Sequence, residues 1–436
     1  MSTMYIIFSI IGINFIMSFL ITLSVYLTSL KYYRPLIKKD KNGNKINIHD
    51  IYDPFHPHDR IDFFSMWSTS FFCWFIKFIS SFIILVIVNL HIRFLYKIHK
   101  NTDTNPEQRK QMKDAIVFWS KLFLFFNGVR IENKYPEFKD VYKKYLGDDY
   151  DFTDDKYSLV VSNHIGFFEV VLGMSLYAPG FIAKKDIKDY YFIGPISRAI
   201  HCLFVDRENQ NEKKKIFDSL LERQQSFYNQ KLFVPLLLFP EGTCSCGRNI
   251  LRFKKGAFYS LLPIKPIICT VDQKSDFHLS VGASNVVLSY FKNYCHTINT
   301  IYVATLPTIR PTEYMFEKYK KYGSEKWEIF AYVVRKIYAE VGGLEEVDMG
   351  LTDIKRYIKA MVTGDYDPNE KTNYIPSNKI KKEHKFNREN NEEIIKIKSA
   401  DNESEEEKNE KNNDFINKER ENIIKENEDN IIEIKS

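Results

Sequence analysis

Tyr157-Ser158-Leu159-Val160-Val161-Ser162-Asn163-His164-Ile165-Gly166-Phe167-Phe168-Glu169 is the stretch from which the fold of this chain can be read. Residues 157–162 form a short apolar run of the kind a buried strand carries, and Asn163 and Gly166 punctuate the residues after it. A histidine comes directly after the strand, and a carboxylate lies five positions further on. In one continuous helix, five residues turn through about 500° and leave two side chains about 140° apart. His164 and Glu169 can therefore meet only if His164 lies in the turn before a helix, and Gly166 gives that turn its backbone latitude. So arranged, His164 is the natural general base, because imidazole titrates near neutrality. Glu169 would fix its tautomer and stabilise the imidazolium that forms.

Similar apolar runs recur at 180–183, 202–205, 233–239, 266–271 and 300–306. Helical spacing separates them. Residues 212–230 place Ile216, Leu220, Leu221 and Phe227 at near-helical intervals, and 324–341 put Trp327, Phe330, Val334, Ile337 and Val341 on one side. Ser324 is the expected N-cap of the second helix and Gly342 its stop. Residues 115–129 read as a further amphipathic or buried helix. Strands alternating with helices imply an α/β fold, a largely parallel twisted sheet flanked by helices.

In such a sheet, ligands bind beyond the carboxyl ends of the strands. His164 follows the first run, Arg207 follows 202–205, and Glu241-Gly242-Thr243 follow 233–239, so the three are expected at one cleft. Arg207 is either a bidentate phosphate clamp or a solvated surface charge. Glu241 is a candidate ligand for a hydroxyl, and Gly242 lets a ligand approach the backbone closely. Lys254 and Lys255 add two cations, either a solvated face or an attraction for phosphates.

The ends of the chain differ sharply from this middle. Residues 1–30 carry no charged side chain, and the apolar run from Tyr5 to Leu30 exceeds the roughly 20 residues a spanning helix needs. No basic region precedes it, so an anchor is expected rather than a cleaved signal. Lys31, Arg34, Lys38, Lys39 and Lys41 follow it, which puts residue 31 onward in the cytosol. A second apolar region, Phe63 to Leu90, is interrupted by Lys77 and ends in Arg93, Lys97 and Lys100. If both regions span, the basic clusters fall on opposite sides. A re-entrant or interfacial second segment keeps both in the cytosol and lets Lys77 snorkel or pair, and that arrangement is expected. Beyond Gly364, Asn, Lys and Glu dominate, too polar to offset the entropy of ordering. The expected division is a transmembrane helix (1–30), a basic cytosolic linker (31–62), a second membrane or re-entrant segment (63–95), the α/β domain (100–362) and a disordered polar tail (363–436).

The formal net charge of +6 suits an anionic membrane surface or substrate and is too mild to argue for nucleic acid. Six cysteines lie in no framework spacing, and Cys244-Ser245-Cys246 has no second pair, so no metal site is expected.

The order Asn163-His164-x4-acid, then Gly194-Pro195 through Phe204-Val205-Asp206-Arg207, then Phe239-Pro240-Glu241-Gly242-Thr243, then Phe253-Lys254-Lys255-Gly256-Ala257-Phe258, then Leu262-Pro263-Ile264-Lys265-Pro266-Ile267 resembles the four-motif lysophospholipid/glycerolipid acyltransferase family. The resemblance covers roughly 155–361. Phe181 to Lys185, Thr243-Cys244 and Gly350 to Tyr357 look most like the lysophosphatidylcholine/lysophosphatidylethanolamine branch. It implies His164 as base, direct attack of a lysophospholipid hydroxyl on an acyl-CoA thioester, and no bound cofactor or metal. It further implies Arg207 and Glu241 to Thr243 as phosphate and glycerol contacts, Lys184 as another phosphate contact, and an endoplasmic-reticulum membrane enzyme with a cytosol-facing site. The alternatives are a glycerol 3-phosphate or lysophosphatidic acid acyltransferase, or a catalytically silent membrane-anchored lipid-binding protein. The family usually has aspartate where this chain has Glu169, so the turn must accommodate one extra methylene.

Overall fold

A computed structural model describes residues 2–39, 42–57, 62–206, 210–272 and 277–367. Arg207 and the polar tail from 368 onward lie outside the described residues.

At the centre is a five-stranded sheet, in spatial order 129–133, 299–305, 264–271, 159–162 and 237–238. All neighbours pair in parallel except 264–271 and 299–305, which are antiparallel. A parallel bridge between Gly180 and Leu236 leads on to the paired strands Ile182–Lys184 and Leu203–Val205. The run expected as a strand over 233–239 pairs in the sheet only at Leu237–Leu238. Pro235 and Pro240 flank it, and neither can donate to a ladder. The edge strand Val129–Asn133 takes only Val129, the last residue of the helix expected over 115–129. That helix instead runs Pro106–Phe126, with the Asn105 side chain capping the N–H groups of Glu107 and Gln108. Its exit passes through Gly128 at φ 68°, where a Cβ would lie 2.1 Å from the Thr297 carbonyl oxygen, so only glycine fits.

Side-chain alternation splits the core between the two sheet faces. Leu159, Val161, Ile264 and Ile268 pack against Phe330, Val334, Ile337 and Tyr338 of the helix Lys326–Gly342. Val160, Ile267, Cys269 and Ile301 pack against Phe168 and Leu172 of the helix Phe167–Tyr177 and Leu124 of Pro106–Phe126. The 326–342 helix begins one capping position later than expected. Glu325 and Glu328 form its capping box, and the Ser324 hydroxyl donates to Glu328 instead of capping. Gly343, at φ 61°, ends it one residue past the expected stop.

Two long apolar helices, Ser2–Tyr33 and Phe63–Ile98, pack antiparallel over part of their length. Asn14 Nδ2 donates to the Phe71 carbonyl at 2.9 Å, Trp67 Nε1 to Ser18 Oγ at 3.3 Å, and Phe15 and Phe19 meet Trp67 edge-on. The second is one unbroken helix of 36 residues, about 54 Å long. The turn that a re-entrant segment needs is therefore absent. Lys77, Ser81, Ile84, Val88 and Ile92 form its buried stripe. Of the two expectations for Lys77, the structure shows pairing and not snorkelling: its Nζ donates to the carbonyls of Asn293 and His296 at 2.8 and 2.7 Å. Phe72, Phe75, Phe82 and Phe94 face outward, as does most of the first helix up to Leu20.

Both ends of the second helix are tied to the same body. Ahead of it, Ile48, Tyr52 and Phe55 are buried with Leu251, Met349 and Tyr357. At its far end, Ile92 is buried with Met112, Ile116 and Ala199.

Candidate active site

The strand Leu159–Ser162 delivers residues 163–166 to the carboxyl edge of the sheet, just before the helix Phe167–Tyr177. Nearly every polar group of this short loop has a partner. The Asn163 amide is fully buried and bridges the neighbouring strand, donating to the Cys269 carbonyl at 2.8 Å and accepting from its N–H at 2.7 Å. The His164 carbonyl accepts from Ser245 N–H at 2.9 Å, and the Ile165 carbonyl from Val281 N–H at 2.7 Å. Gly166 is needed for space rather than for an unusual φ. A Cβ there would sit 2.8 Å from Val281 Cγ2 and 2.9 Å from the Leu279 carbonyl oxygen.

This loop puts His164 in the turn and Glu169 in the first turn of the helix, so the two meet. His164 Nδ1 hydrogen-bonds one oxygen of Glu169, and the other oxygen accepts from Ile165 N–H. The longer side chain thus reaches both the ring and the backbone, and the helix N-terminus favours its negative charge. Glu169 is fully buried, whereas the His164 side chain is 21% exposed. Burial opposes charge on the imidazole, but the Glu169 carboxylate against it prevails and raises the ring's basicity well above the usual histidine value. Burial pushes the Glu169 carboxyl up, against the pull of the imidazole. A tightly held, strengthened base results, with Nε2 left for a second partner.

Phe239-Pro240-Glu241-Gly242-Thr243 lies beside it, beyond the end of Leu237–Leu238. Glu241 is not a ligand-facing carboxylate, contrary to the sequence expectation. It is fully buried, accepting from His164 N–H at 2.7 Å through one oxygen and from Leu251 N–H at 2.9 Å through the other. Both oxygens are committed to backbone, so Glu241 is a strut that holds His164 in place. Burial raises its carboxyl to about 7, against the two N–H groups that favour the anion. Gly242 is exposed at φ 67°, and the Lys254 side chain lies across it, with Nζ 2.2 Å from where a Cβ would be. Lys254 is exposed, so the structure brings an accessible cation to the turn, and Thr243 is half-buried next to it. Lys184 is also exposed, at the end of the strand Ile182–Lys184.

Three residues here have surroundings that the sequence does not assign. Asn163 carries a signal, its place directly before the histidine, but its bridge to Cys269 is a tertiary fact. Phe239 stacks on the His164 ring with centroids 4.1 Å apart and also stacks on Phe181 at 6.3 Å. Cys244 lies near enough to the His164 ring for the two to influence each other electrostatically. Nothing in an apolar strand residue or a lone C-x-C signals either contact.

Residues 143–272 match the family model described as Acyltransferase. The lysophospholipid acyltransferase LPEAT1 of Arabidopsis thaliana is 29% identical over 206 residues, covering 47% of this chain and 49% of its own length. Lysophosphatidylcholine acyltransferase 1 of Danio rerio is 25% identical over 201 residues, 45% of this chain and 36% of its own. The chain thus spans half or less of these relatives. Among solved structures, the 1-acyl-sn-glycerophosphate (LPA) acyltransferase PlsC from Thermotoga maritima matches with 17% identity over 62% of this chain and 95% of its own, at a TM-score of 0.43.

Proposed function

We propose that this chain, with its acyltransferase-family segment at 143–272, is an acyl-CoA-dependent O-acyltransferase that esterifies the free hydroxyl of a lysophospholipid. The observation that carries this reading is the His164–Glu169 pair at the strand edge, beside Gly242 and the exposed Lys254. His164 Nε2 takes the proton of the acceptor hydroxyl as that oxygen attacks the thioester carbonyl. The carbon–sulfur bond breaks, and the coenzyme A sulfur leaves with the proton from the imidazolium. Glu169 stabilises the imidazolium in between. Lys254 and Lys184 supply positive charge for substrate phosphates, with Arg207 as a further candidate.

Both substrates partition into bilayers, and the outward aromatic faces of the two apolar helices suit insertion there. A helix of about 54 Å whose two flanks are held on one body favours placing both basic clusters on one side. We assign that side to the cytosol, on the endoplasmic reticulum.

The test is transfer of labelled acyl groups from acyl-CoA to a panel of lysolipids by the full chain in mixed micelles. His164→Ala is expected to lower turnover by about 10²–10⁴-fold while the protein stays in the membrane fraction. Undiminished turnover in that variant would overturn the assignment of the base. Preference for glycerol 3-phosphate or lysophosphatidic acid would move the acceptor one step earlier.

A further inference from the structure

One exposed apolar segment belongs to the α/β body and not to the long helices. It follows the strand Ile182–Lys184, which continues from the parallel Gly180–Leu236 bridge and so runs toward the catalytic edge. A short helix, Lys185–Asp189, then leads to Tyr190-Tyr191-Phe192 and the helix Ile193–Ala199. Tyr190, Tyr191 and Ile193 are 54%, 73% and 50% exposed. We propose that residues 185–193 are a bilayer contact made by the catalytic body itself, on a membrane surface carrying anionic phospholipid. The proposal rests on the reading of Phe63–Ile98 as bilayer-embedded, and it adds to the proposed function the place where the acceptor lipid is met.

The exposure is built in. Gly194 N–H donates to the Tyr190 carbonyl at 2.8 Å, which closes the segment on itself. Asn89 Nδ2 donates to the carbonyls of Tyr191 and Phe192 at 3.3 and 2.6 Å. Arg93 Nη2 donates to the Tyr191 carbonyl at 3.2 Å, and its guanidinium lies over the Tyr191 ring, 5.3 Å from the centroid. Phe82 meets Phe192 edge-on at 6.3 Å. Around a helix, Phe82, Asn89 and Arg93 fall within about 40° of one another. They form a flank between the buried stripe of Ser81, Ile84, Val88 and Ile92 and the outward row of Ile83, Ile87, Leu90 and Phe94. The segment is therefore fixed beside the outward row, and the two apolar surfaces adjoin.

Charge identifies the occupant. Lys184, Lys185, Arg198 and Arg93 are exposed around the aromatic residues and outnumber the acids there, Asp186 and Asp189. Tyrosines ringed by cations suit the headgroup level of a bilayer, where an amphipathic ring has one wet end and one apolar end. The cations are attracted to an anionic leaflet. Lys184 closes the strand that leads into this segment, and Phe181, just before that strand, stacks on Phe239, which stacks on His164. A lysolipid in the contacted leaflet then has its headgroup near Lys184 and reaches the catalytic edge along the membrane surface.

The full chain is reconstituted as single copies in bilayer discs of phosphatidylcholine, with or without phosphatidylserine, in plain and brominated forms. In Tyr191→Trp, the emission added over wild type is expected to be blue-shifted and quenched by bromine near the headgroup end of the acyl chains. Phosphatidylserine is expected to deepen that quenching, and Lys185→Glu in the same background to remove the increment. Added emission that bromine does not quench overturns the proposal, whether it is red-shifted as in water or blue-shifted as against protein. Equal quenching with and without phosphatidylserine overturns the anionic preference. Tyr191→Ser/Ile193→Ser is expected to raise KM severalfold for lysophosphatidylcholine offered in discs, with kcat unchanged and with turnover in micelles unchanged. Tyr191→Ser alone serves if the double variant does not fold. An unchanged KM in discs overturns the role of the contact in meeting the acceptor. Quenching needs no turnover, so a wild type that acylates no lysolipid would sink the acyltransferase reading separately and leave the contact to be decided by the emission.

Discussion

Glu169 shows how one side-chain length is absorbed by local geometry. Its carboxylate holds both the His164 ring and the N–H of Ile165, so the extra methylene is used within the turn. Because this carboxylate raises the basicity of His164, the neutral, active imidazole is reached only as pH rises past that elevated value. Glu169→Gln removes the charge, and the ascending limb of kcat/KM is expected to move to lower pH while kcat falls by about 10²–10⁴-fold. A pH–rate profile of both proteins checks the direction. Glu241 makes a different prediction. Its folded-state value of about 7 lies above the ordinary 4.5 of an unfolded glutamate, so the folded chain binds more protons than the unfolded one between those values. This group's contribution to stability therefore falls as pH rises from about 4.5 to about 7. Glu241→Gln is expected to flatten that slope in denaturant titrations. It also leaves one of two buried N–H groups without its acceptor oxygen, at a cost of about 1–3 kcal/mol.

At the scale of elements, the catalytic turn is held by neighbours remote in sequence: the strand carrying Cys269, the loop at Ser245 and the segment at Val281. Asn163→Ala would orphan the N–H and C=O of Cys269 in the core and is expected to cost about 2 kcal/mol. The apolar helix Phe63–Ile98 docks by the same logic. Lys77→Met removes the ammonium donor from the carbonyls of Asn293 and His296, and a loss of about 1–3 kcal/mol is expected in thermal unfolding. Activity should survive at temperatures where the fold is intact, because Lys77 touches neither His164 nor Glu169.

For the whole molecule, the segment between the two apolar helices is part of the folded body. Tyr357 hydrogen-bonds Nδ1 of both His49 and His56 at 2.8 Å, and the two imidazoles stack. Tyr357→Phe should loosen residues 42–57 against the rest, seen as faster amide exchange there at little change elsewhere. With both long helices presenting outward aromatic faces, the full chain is expected to stay with membranes through alkaline carbonate washing. The sequence by itself determined the α/β alternation, the strand-end placement of His164 and Glu241, and the need for His164 to precede its helix, because periodicity and helical angle are local properties. Only the tertiary structure decided that Glu241 is a strut, that Phe239 stacks on the imidazole, that Lys77 pairs with carbonyls, and that residues 63–98 form one helix. Each of those depends on which distant backbone groups come within hydrogen-bonding reach, and no pattern along the chain encodes that distance.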